Sequence, residues 1–288
     1  MLTRVLTGII AFIVFLPFLV HSDTVAFPIA MSVCSVISVY ELLRCVGMHK
    51  RHYVTLPVVA VAAALPICVR YLTVYEAFAI GLAAALVLML YMLAITVFSH
   101  GEVDITQSST ALMISLYIVA AFSCMVYLCD YCGEYIYLLA FVGAWVPDTF
   151  AYFTGCLFGK HKLIPDVSPK KTVEGAIGGI VFCTIAFVVF ALVYNRLLLS
   201  DPTQVNAMPV ESFRALPVWL MAIVGVLSAV VSMIGDLSMS VIKRHYGVKD
   251  YGKILPGHGG FLDRFDSVLA VAVILAVALG IATNVGLM

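Results

Sequence analysis

Long apolar runs separated by short polar segments make up almost the whole chain. Runs with few or no charges lie near residues 5–20, 24–43, 54–69, 75–98, 109–129, 135–157, 173–195, 216–242 and 267–287. Because the hydrocarbon core of a bilayer is about 30 Å thick, a helix of roughly 20 apolar residues crosses it. The pattern therefore predicts an all-α fold, a polytopic integral membrane bundle of about nine transmembrane helices. The run at 54–69 is the weakest, because it is short and contains Pro57 and Pro66.

Composition agrees with a membrane protein. Of the 288 residues, 63% are hydrophobic and 11% are charged, whereas an ordinary soluble domain carries about 25% charged residues. The sixteen basic and sixteen acidic residues cancel, so nothing indicates a nucleic-acid partner or a polybasic tail. Disordered, collagen-like and disulfide-scaffold proteins are excluded by the same numbers.

The basic residues also predict an orientation. With nine spans and a cytoplasmic N-terminus, thirteen of the sixteen lysines and arginines fall on the cytoplasmic side, and only Arg70, Arg196 and Arg214 fall on the other. Cytoplasmic loops of membrane proteins carry an excess of lysine and arginine. We therefore expect the N-terminus inside the cell. The expected location of the protein is a bacterial-type inner or plasma membrane.

Charge is concentrated in two segments. The first charged segment, residues 148–174, has seven charged side chains, and the second, residues 236–266, has nine. Together they hold half of all the charges, and both lie on the predicted cytoplasmic side. A pore or a simple anchor needs no such concentration, so we expect the chemistry of the protein at this face.

The first charged segment combines a carboxylate with a basic helix start. Asp148 lies in an apolar run directly after Pro147, where a charge is costly unless it is paired, hydrated or bound to a cation. Ser168, Lys170, Lys171 and Thr172 come just before the seventh apolar run. Hydroxyls, lysines and the free amides of a helix start favour phosphate binding. Contact of a basic loop with anionic headgroups is the alternative.

The second charged segment is denser. Asp236, Ser240, Lys243 and Arg244 are spaced to share one face of a helix, which indicates either a ligand track or a salt-bridged helix end. A glycine-rich stretch, residues 256–260, follows and can approach a phosphate closely. Next come Asp263, Arg264 and Asp266, of which the two carboxylates share a helical face.

These residue types favour magnesium and polyphosphate chemistry. Hard carboxylate oxygens without sulfur ligands or several histidines suit Mg²⁺ better than zinc, and surrounding cations suit a polyphosphate. The chain contains no Walker sequence and no dinucleotide-binding glycine motif, and its loops are too short for a separate nucleotide-binding domain. Nucleotide and lipid would meet inside the bundle, near the headgroups.

The arrangement of these residues is similar to a known signature. Ser240-x-x-Lys243-Arg244-x4-Lys249-Asp250-x-Gly252-x3-Pro256-Gly-His258-Gly-Gly-x-x-Asp263-Arg264-x-Asp266-Ser267 resembles that of the phosphatidate cytidylyltransferases, or CDP-diacylglycerol synthases. Asp148-Thr-x-Ala-Tyr152 and Ser168-Pro-Lys-Lys-Thr172-x-Glu174-Gly175 are similar to motifs upstream in that family. The resemblance covers roughly residues 140–288.

The resemblance implies that CTP and phosphatidate give CDP-diacylglycerol and pyrophosphate, with Mg²⁺ as the cofactor and room for a second cation. Asp236 and Asp263 are then the expected metal ligands, supported by Asp148 and Asp266. Lys243 and Arg244 join Asp148, Asp236 and Asp263 as expected catalytic residues. The expected substrate-binding residues are Ser168, Lys170, Lys171, Thr172, Ser240, Lys249, Asp250, His258, Gly259 and Arg264.

Two other functions stay open at this point. A CTP-dependent polyprenol or lipid kinase would release CDP instead of pyrophosphate. A secondary transporter would also place charges inside a bundle, but it predicts internal repeats and charges near the midplane. We expect residues 1–130 to form lipid-facing helices that offer contacts for a homodimer, and residues 131–288 to form the catalytic region.

Overall fold

Helices make up most of the protein. The computed structural model describes residues 2–133, 135–164, 168–200, 215–254, 257 and 259–287. In this part of the chain there are nine α-helices: α1 (Leu2–Val20), α2 (Ala26–Cys45), α3 (His52–Tyr71), α4 (Val74–Phe98), α5 (Ile105–Tyr127), α6 (Leu138–Phe158), α7 (Val173–Ser200), α8 (Val218–His245) and α9 (Leu262–Asn284). Each predicted apolar run coincides with one helix, which confirms the all-α bundle.

Many of these helices are able to cross a membrane. Within the described ranges, seven helices are long and apolar enough, with mean hydropathy between 1.7 and 2.7: α2, α3, α4, α5, α7, α8 and α9. The protein is therefore an integral membrane protein, and the count of nine spans stays a prediction. The weakest run is a full helix, because α3 continues through Pro57 and Pro66.

Two short segments depart from regular α-helix. Residues Leu128–Cys132 continue α5 as a π-helical turn. Between α6 and α7, where the sequence indicates an irregular loop, β1 (Lys162–Ile164) and β2 (Ser168–Thr172) pair as an antiparallel hairpin. Lys162 lies opposite Thr172 in this hairpin. The hairpin thus leads directly into the first turn of α7.

The chain forms two compact units. Unit 1 comprises Met1–Val126 and Lys243–Phe265, and unit 2 comprises Tyr127–Ile242 and Asp266–Met288. In unit 1, α2 packs on α3 and α3 on α4. Unit 1 thus includes the end of α8, the segment between α8 and α9, and the first turn of α9, besides α1 to α5. The predicted division near residue 130 stays a prediction.

Close helix packing forms the core of unit 2. A Cβ atom on Gly143 of α6 would lie 2.7 Å from Val271 of α9, 3.2 Å from Phe187 of α7 and 3.3 Å from Ser228 of α8. Four helices therefore meet at a point where only a glycine fits. The rings of Phe150 on α6 and Phe182 on α7 also stack, with centroids 3.9 Å apart. The packing of α6 on α7 holds the hairpin between them.

Candidate active site

In unit 2, a lysine of the hairpin meets a carboxylate of α8. Lys171 Nζ donates to Asp236 Oδ2 at 2.6 Å, with 26% of the lysine side chain and 30% of the aspartate side chain exposed. Asp148 of α6 interacts electrostatically with both of them. We call Asp148, Lys171 and Asp236 the Lys171 cluster. One ammonium group and two carboxylates from three separate elements thus form a polar site in unit 2.

The hairpin places Lys171 because both of its ends are anchored. Thr172 Oγ1 accepts from the Gly175 backbone N–H at 3.2 Å, so Thr172 caps the N-terminus of α7. Glu174 in the first turn of α7 accepts from the backbone N–H groups of Lys160 and His161 at 3.1 and 3.2 Å. Its Oε1 also lies 2.6 Å from His161 Nδ1. A carboxylate at a helix N-terminus is favourable, and here it ties the start of the hairpin to α7.

In unit 1, a second lysine–aspartate pair is much more deeply buried. Lys243 Nζ donates to Asp263 Oδ1 at 2.7 Å, and the exposed fractions of the side chains are 12% and 5%. Asp263 Oδ2 accepts from the backbone N–H groups of Tyr251 at 2.9 Å and Gly260 at 3.0 Å. We call Lys243, Asp263 and these two amides the Asp263 cluster. Both carboxylate oxygens of Asp263 are therefore satisfied from within unit 1.

The other predicted residues of the second charged segment belong to the end of α8, the start of α9 and the stretch of chain that joins these helices. Arg244, Lys249, Asp250 and Arg264 are exposed, and Ser240 is half-buried on α8. Gly259 has a positive φ of 87°, and a Cβ there would lie 3.2 Å from Asp250 Cγ. Asp266 is buried, and its Oδ1 accepts from the Ser267 backbone N–H at 2.7 Å.

Some predicted residues lie partly or wholly outside the described residues. His258 is outside them, and of Lys170 only the backbone, in β2, is described. Ser168 is half-buried at the start of β2, opposite Ile164. The structure thus brings together Asp148, Lys171 and Asp236 in unit 2, and Lys243 and Asp263 in unit 1.

One further carboxylate, which the sequence patterns did not single out, interacts with Asp263 in unit 1. Glu41 of α2 is 2% exposed, and its Oε2 accepts from the Leu262 backbone N–H at 2.9 Å. Its signal was a single carboxylate in an otherwise apolar run of the N-terminal half, a position that is functional by default in a membrane helix.

The donor atoms of the Lys171 cluster fit magnesium. Among the described residues no three His, Cys, Asp or Glu side chains are grouped so as to hold a metal ion. Mg²⁺, however, is usually bound through one or two carboxylates, with water and substrate phosphates at its remaining positions. Asp148 and Asp236 supply two such carboxylates, so they suit a magnesium ion that arrives with a phosphate substrate.

Comparison with known proteins assigns the chain to a family. The family model described as "Cytidylyltransferase family" matches residues 2–282. The phosphatidate cytidylyltransferase of Staphylococcus haemolyticus (strain JCSC1435) is 34% identical over 97% of this chain and 99% of its own length. Those of Staphylococcus saprophyticus and of Staphylococcus aureus (strain COL) are 32% and 34% identical over the same shares. The likeness extends through the N-terminal half, where the sequence showed only hydropathy, and the chain therefore belongs to the cytidylyltransferase family.

Proposed function

We propose that the protein transfers the cytidylyl group of CTP to phosphatidate, with CDP-diacylglycerol and pyrophosphate as products. The observation that carries this proposal is the likeness of nearly the whole chain to relatives named phosphatidate cytidylyltransferase. Neither the kinase nor the transporter finds support in these relatives.

The chemistry needs positive charge more than it needs a base. A phosphate oxygen of phosphatidate attacks the α-phosphorus of CTP, and the bond from this phosphorus to the bridging oxygen of the β-phosphate breaks. The attacking oxygen is already anionic, so no proton has to be removed. The barrier lies in bringing one anion against another, which positioned cations lower.

The Lys171 cluster has the properties that such a step requires. Surface ion pairs are worth about 0–1 kcal/mol, so the partly exposed Lys171 can exchange Asp236 for a substrate phosphate. Asp236 and Asp148 would then be free to hold magnesium, which would supply positive charge to the phosphates of the nucleotide. Asp263 and Asp266 remain proposed ligands as well.

The proposed location follows from charge. Thirteen of the sixteen basic residues lie on one side of the proposed topology, and both charged segments are on that side. We place the reaction at the cytoplasmic face of a bacterial inner or plasma membrane, where CTP is available. Membrane lipids surround the bundle, and a homodimer stays part of the proposal.

Position-specific labelling tests the reaction. Purified protein in detergent is incubated with phosphatidate, magnesium and CTP labelled at either the α- or the γ-phosphate, and the lipid is then extracted. Cytidylyl transfer puts the α-label into lipid and the γ-label into pyrophosphate, whereas a kinase puts the γ-label into lipid. The variant Lys171→Met should lose most of the activity, while Lys162→Met, an exposed lysine of the same hairpin, should retain it. Absence of α-label from the lipid of the wild type would refute the proposal.

A further inference from the structure

The side chain of Glu41 is a buried carboxylate, and it has no part in the proposed chemistry. It lies on α2, near the end of an apolar helix, and is 2% exposed. Burial of a carboxylate is costly unless hydrogen bonds or charges compensate it. A glutamate at such a position therefore needs a specific hydrogen-bond partner.

The partner is the segment between α8 and α9. Glu41 Oε2 accepts from the backbone N–H of Leu262, the first residue of α9, at 2.9 Å. The first amides of a helix lack partners within it and attract anions. Glu41 therefore occupies the N-terminus of α9 and fixes the point at which the segment enters the helix.

Two carboxylates hold the same short stretch of backbone. Asp263 Oδ2 accepts from Tyr251 N and Gly260 N, and Glu41 accepts from Leu262 N, only two residues beyond Gly260. Asp263 also interacts electrostatically with Glu41, and Glu41 Oε2 and Asp263 Oδ2 both lie next to Gly260. The backbone at Tyr251, Gly260 and Leu262 thus depends on these two side chains.

Steric contacts show how closely the segment lies on Glu41. A Cβ atom on Gly252 would collide with Glu41 Oε1. A Cβ on Gly260 would lie 2.7 Å from Glu41 Oε2 and 2.9 Å from Asp263 Oδ2. Both distances are shorter than normal contacts, so only glycine fits at these two positions while the carboxylates stay in place.

The remaining oxygen of Glu41 argues against a purely stabilising role. Glu41 Oε1 is buried and has no hydrogen-bond partner among the described atoms. A buried polar atom left without a partner is destabilising. An apolar side chain would avoid this cost, so packing alone does not explain a glutamate here.

We infer that Glu41 is a positioning residue, which fastens the backbone of residues 260–262 to α2 and so holds Asp263 against Lys243. The inference rests on the proposed function for its effect on catalysis, but its effect on the backbone can be measured without any activity. In this way the N-terminal half of the chain contributes to the order of the second charged segment.

Hydrogen exchange of the full-length protein in detergent tests the backbone effect. In Glu41→Ala, the amides of Gly260, Phe261 and Leu262 should exchange about tenfold faster or more, because a hydrogen bond that restrains their opening is lost. Glu41→Gln should lie between wild type and Glu41→Ala, since its amide oxygen still accepts from Leu262. The matched control is Ser35→Ala on the same helix, since the buried Ser35 hydroxyl has no hydrogen-bond partner among the residues that the structure describes. Unchanged exchange at these amides, or equal acceleration throughout α2 to α5, would overturn the inference.

The single variant Gly252→Ala covers the case in which Glu41→Ala folds poorly, and a double-mutant cycle tests whether the two positions act through one contact. Gly252→Ala should displace the Glu41 side chain and accelerate exchange at the same amides. If the two positions act through one contact, Gly252→Ala should add little in the Glu41→Ala background. Gly81→Ala meets only an ordinary contact, 3.5 Å from Leu65, and serves as the glycine control. Additive effects of the two substitutions would contradict the inference.

Kinetics separate this inference from the proposed function. With CTP and phosphatidate, Glu41→Ala should lower kcat about tenfold or more, because small displacements of positioned groups are costly, and Glu41→Gln should restore part of it. A wild type without cytidylyl transfer refutes the proposed function and leaves the exchange test valid. An active wild type whose Glu41→Ala variant exchanges faster but keeps its kcat overturns the positioning role alone.

Discussion

The two lysine–aspartate pairs differ in burial, and this difference predicts unequal stability effects for the same substitution. We compare Lys243→Met with Lys171→Met, since methionine keeps much of the apolar stem and removes only the charge. Lys243 and Asp263 are 12% and 5% exposed, whereas Lys171 and Asp236 are 26% and 30% exposed. Lys243→Met should therefore destabilise the protein more.

The size of each loss of unfolding free energy depends on the surroundings of the aspartate that remains after its lysine is replaced. Removal of one partner of a buried ion pair costs about 3–5 kcal/mol. Asp263 keeps two backbone N–H donors, so we expect a loss of unfolding free energy at or somewhat below the lower limit of this range, about 2–3 kcal/mol. Lys171→Met leaves Asp236 in contact with solvent, so its expected loss is at most about 1 kcal/mol.

Thermal unfolding in detergent measures the difference. For a chain of this size, 1 kcal/mol corresponds to about 2–4 °C in Tm, so we expect a decrease of about 5–10 °C for Lys243→Met and about 3 °C or less for Lys171→Met. The double variant Lys243→Met with Asp263→Asn should regain most of the loss, because the asparagine oxygen still accepts from Tyr251 and Gly260 without an unpaired charge. Equal Tm values for the two lysine variants, or no recovery in the double variant, would refute this reasoning.

Three further predictions follow from the site and the topology. Asp236→Asn should lower activity by about two orders of magnitude or more and raise the magnesium concentration needed for half-maximal rate, while Asp104→Asn, in an exposed loop, should change neither; normal magnesium dependence would exclude Asp236 as a ligand. A reporter fused after Lys253 should read cytoplasmic and one fused after Asp201, which lies outside the described residues, should not; a reversed reading would invert the proposed orientation. Thr172→Val should lower the free energy of unfolding by about 1 kcal/mol through loss of the α7 cap, whereas Thr172→Ser should not; equal stability of the two variants would contradict the capping role.

The helices could be predicted from the sequence because each one satisfies a local rule. An apolar run of about twenty residues has to form its hydrogen bonds internally in lipid, and a helix does this within one segment. The same rule explains why α3 stays helical at Pro57 and Pro66. Neighbouring helices can satisfy the backbone groups that a proline leaves without a partner. The cap of α7 was also predictable, because Thr172 and Gly175 are only three residues apart.

The partners in the candidate site could not be predicted in this way. Asp236 is 65 residues from Lys171, and Leu262 is 221 residues from Glu41, and no local pattern encodes such pairs. The single-face spacing of Asp236 and Lys243 on α8 suggested one ligand track, but each side chain has its own partner, on β2 and on α9 respectively. Helical spacing tells which side chains share a face, but it does not tell which element each of them meets.

Because their surroundings differ, the carboxylates of the two pairs suit different roles. The oxygens of Asp263 are occupied by one ammonium group and two backbone amides, so any ligand at Asp263 has to displace bonds that also shape the adjoining backbone. Asp236 pairs with Lys171 and its side chain is 30% exposed, so an exchange of this partner for a phosphate or a cation breaks fewer bonds. A transferase that binds and releases two anions in each cycle needs both kinds of group, a rigid one to keep the geometry and an exchangeable one to receive charge. Asp263 has the properties of the first and Asp236 those of the second.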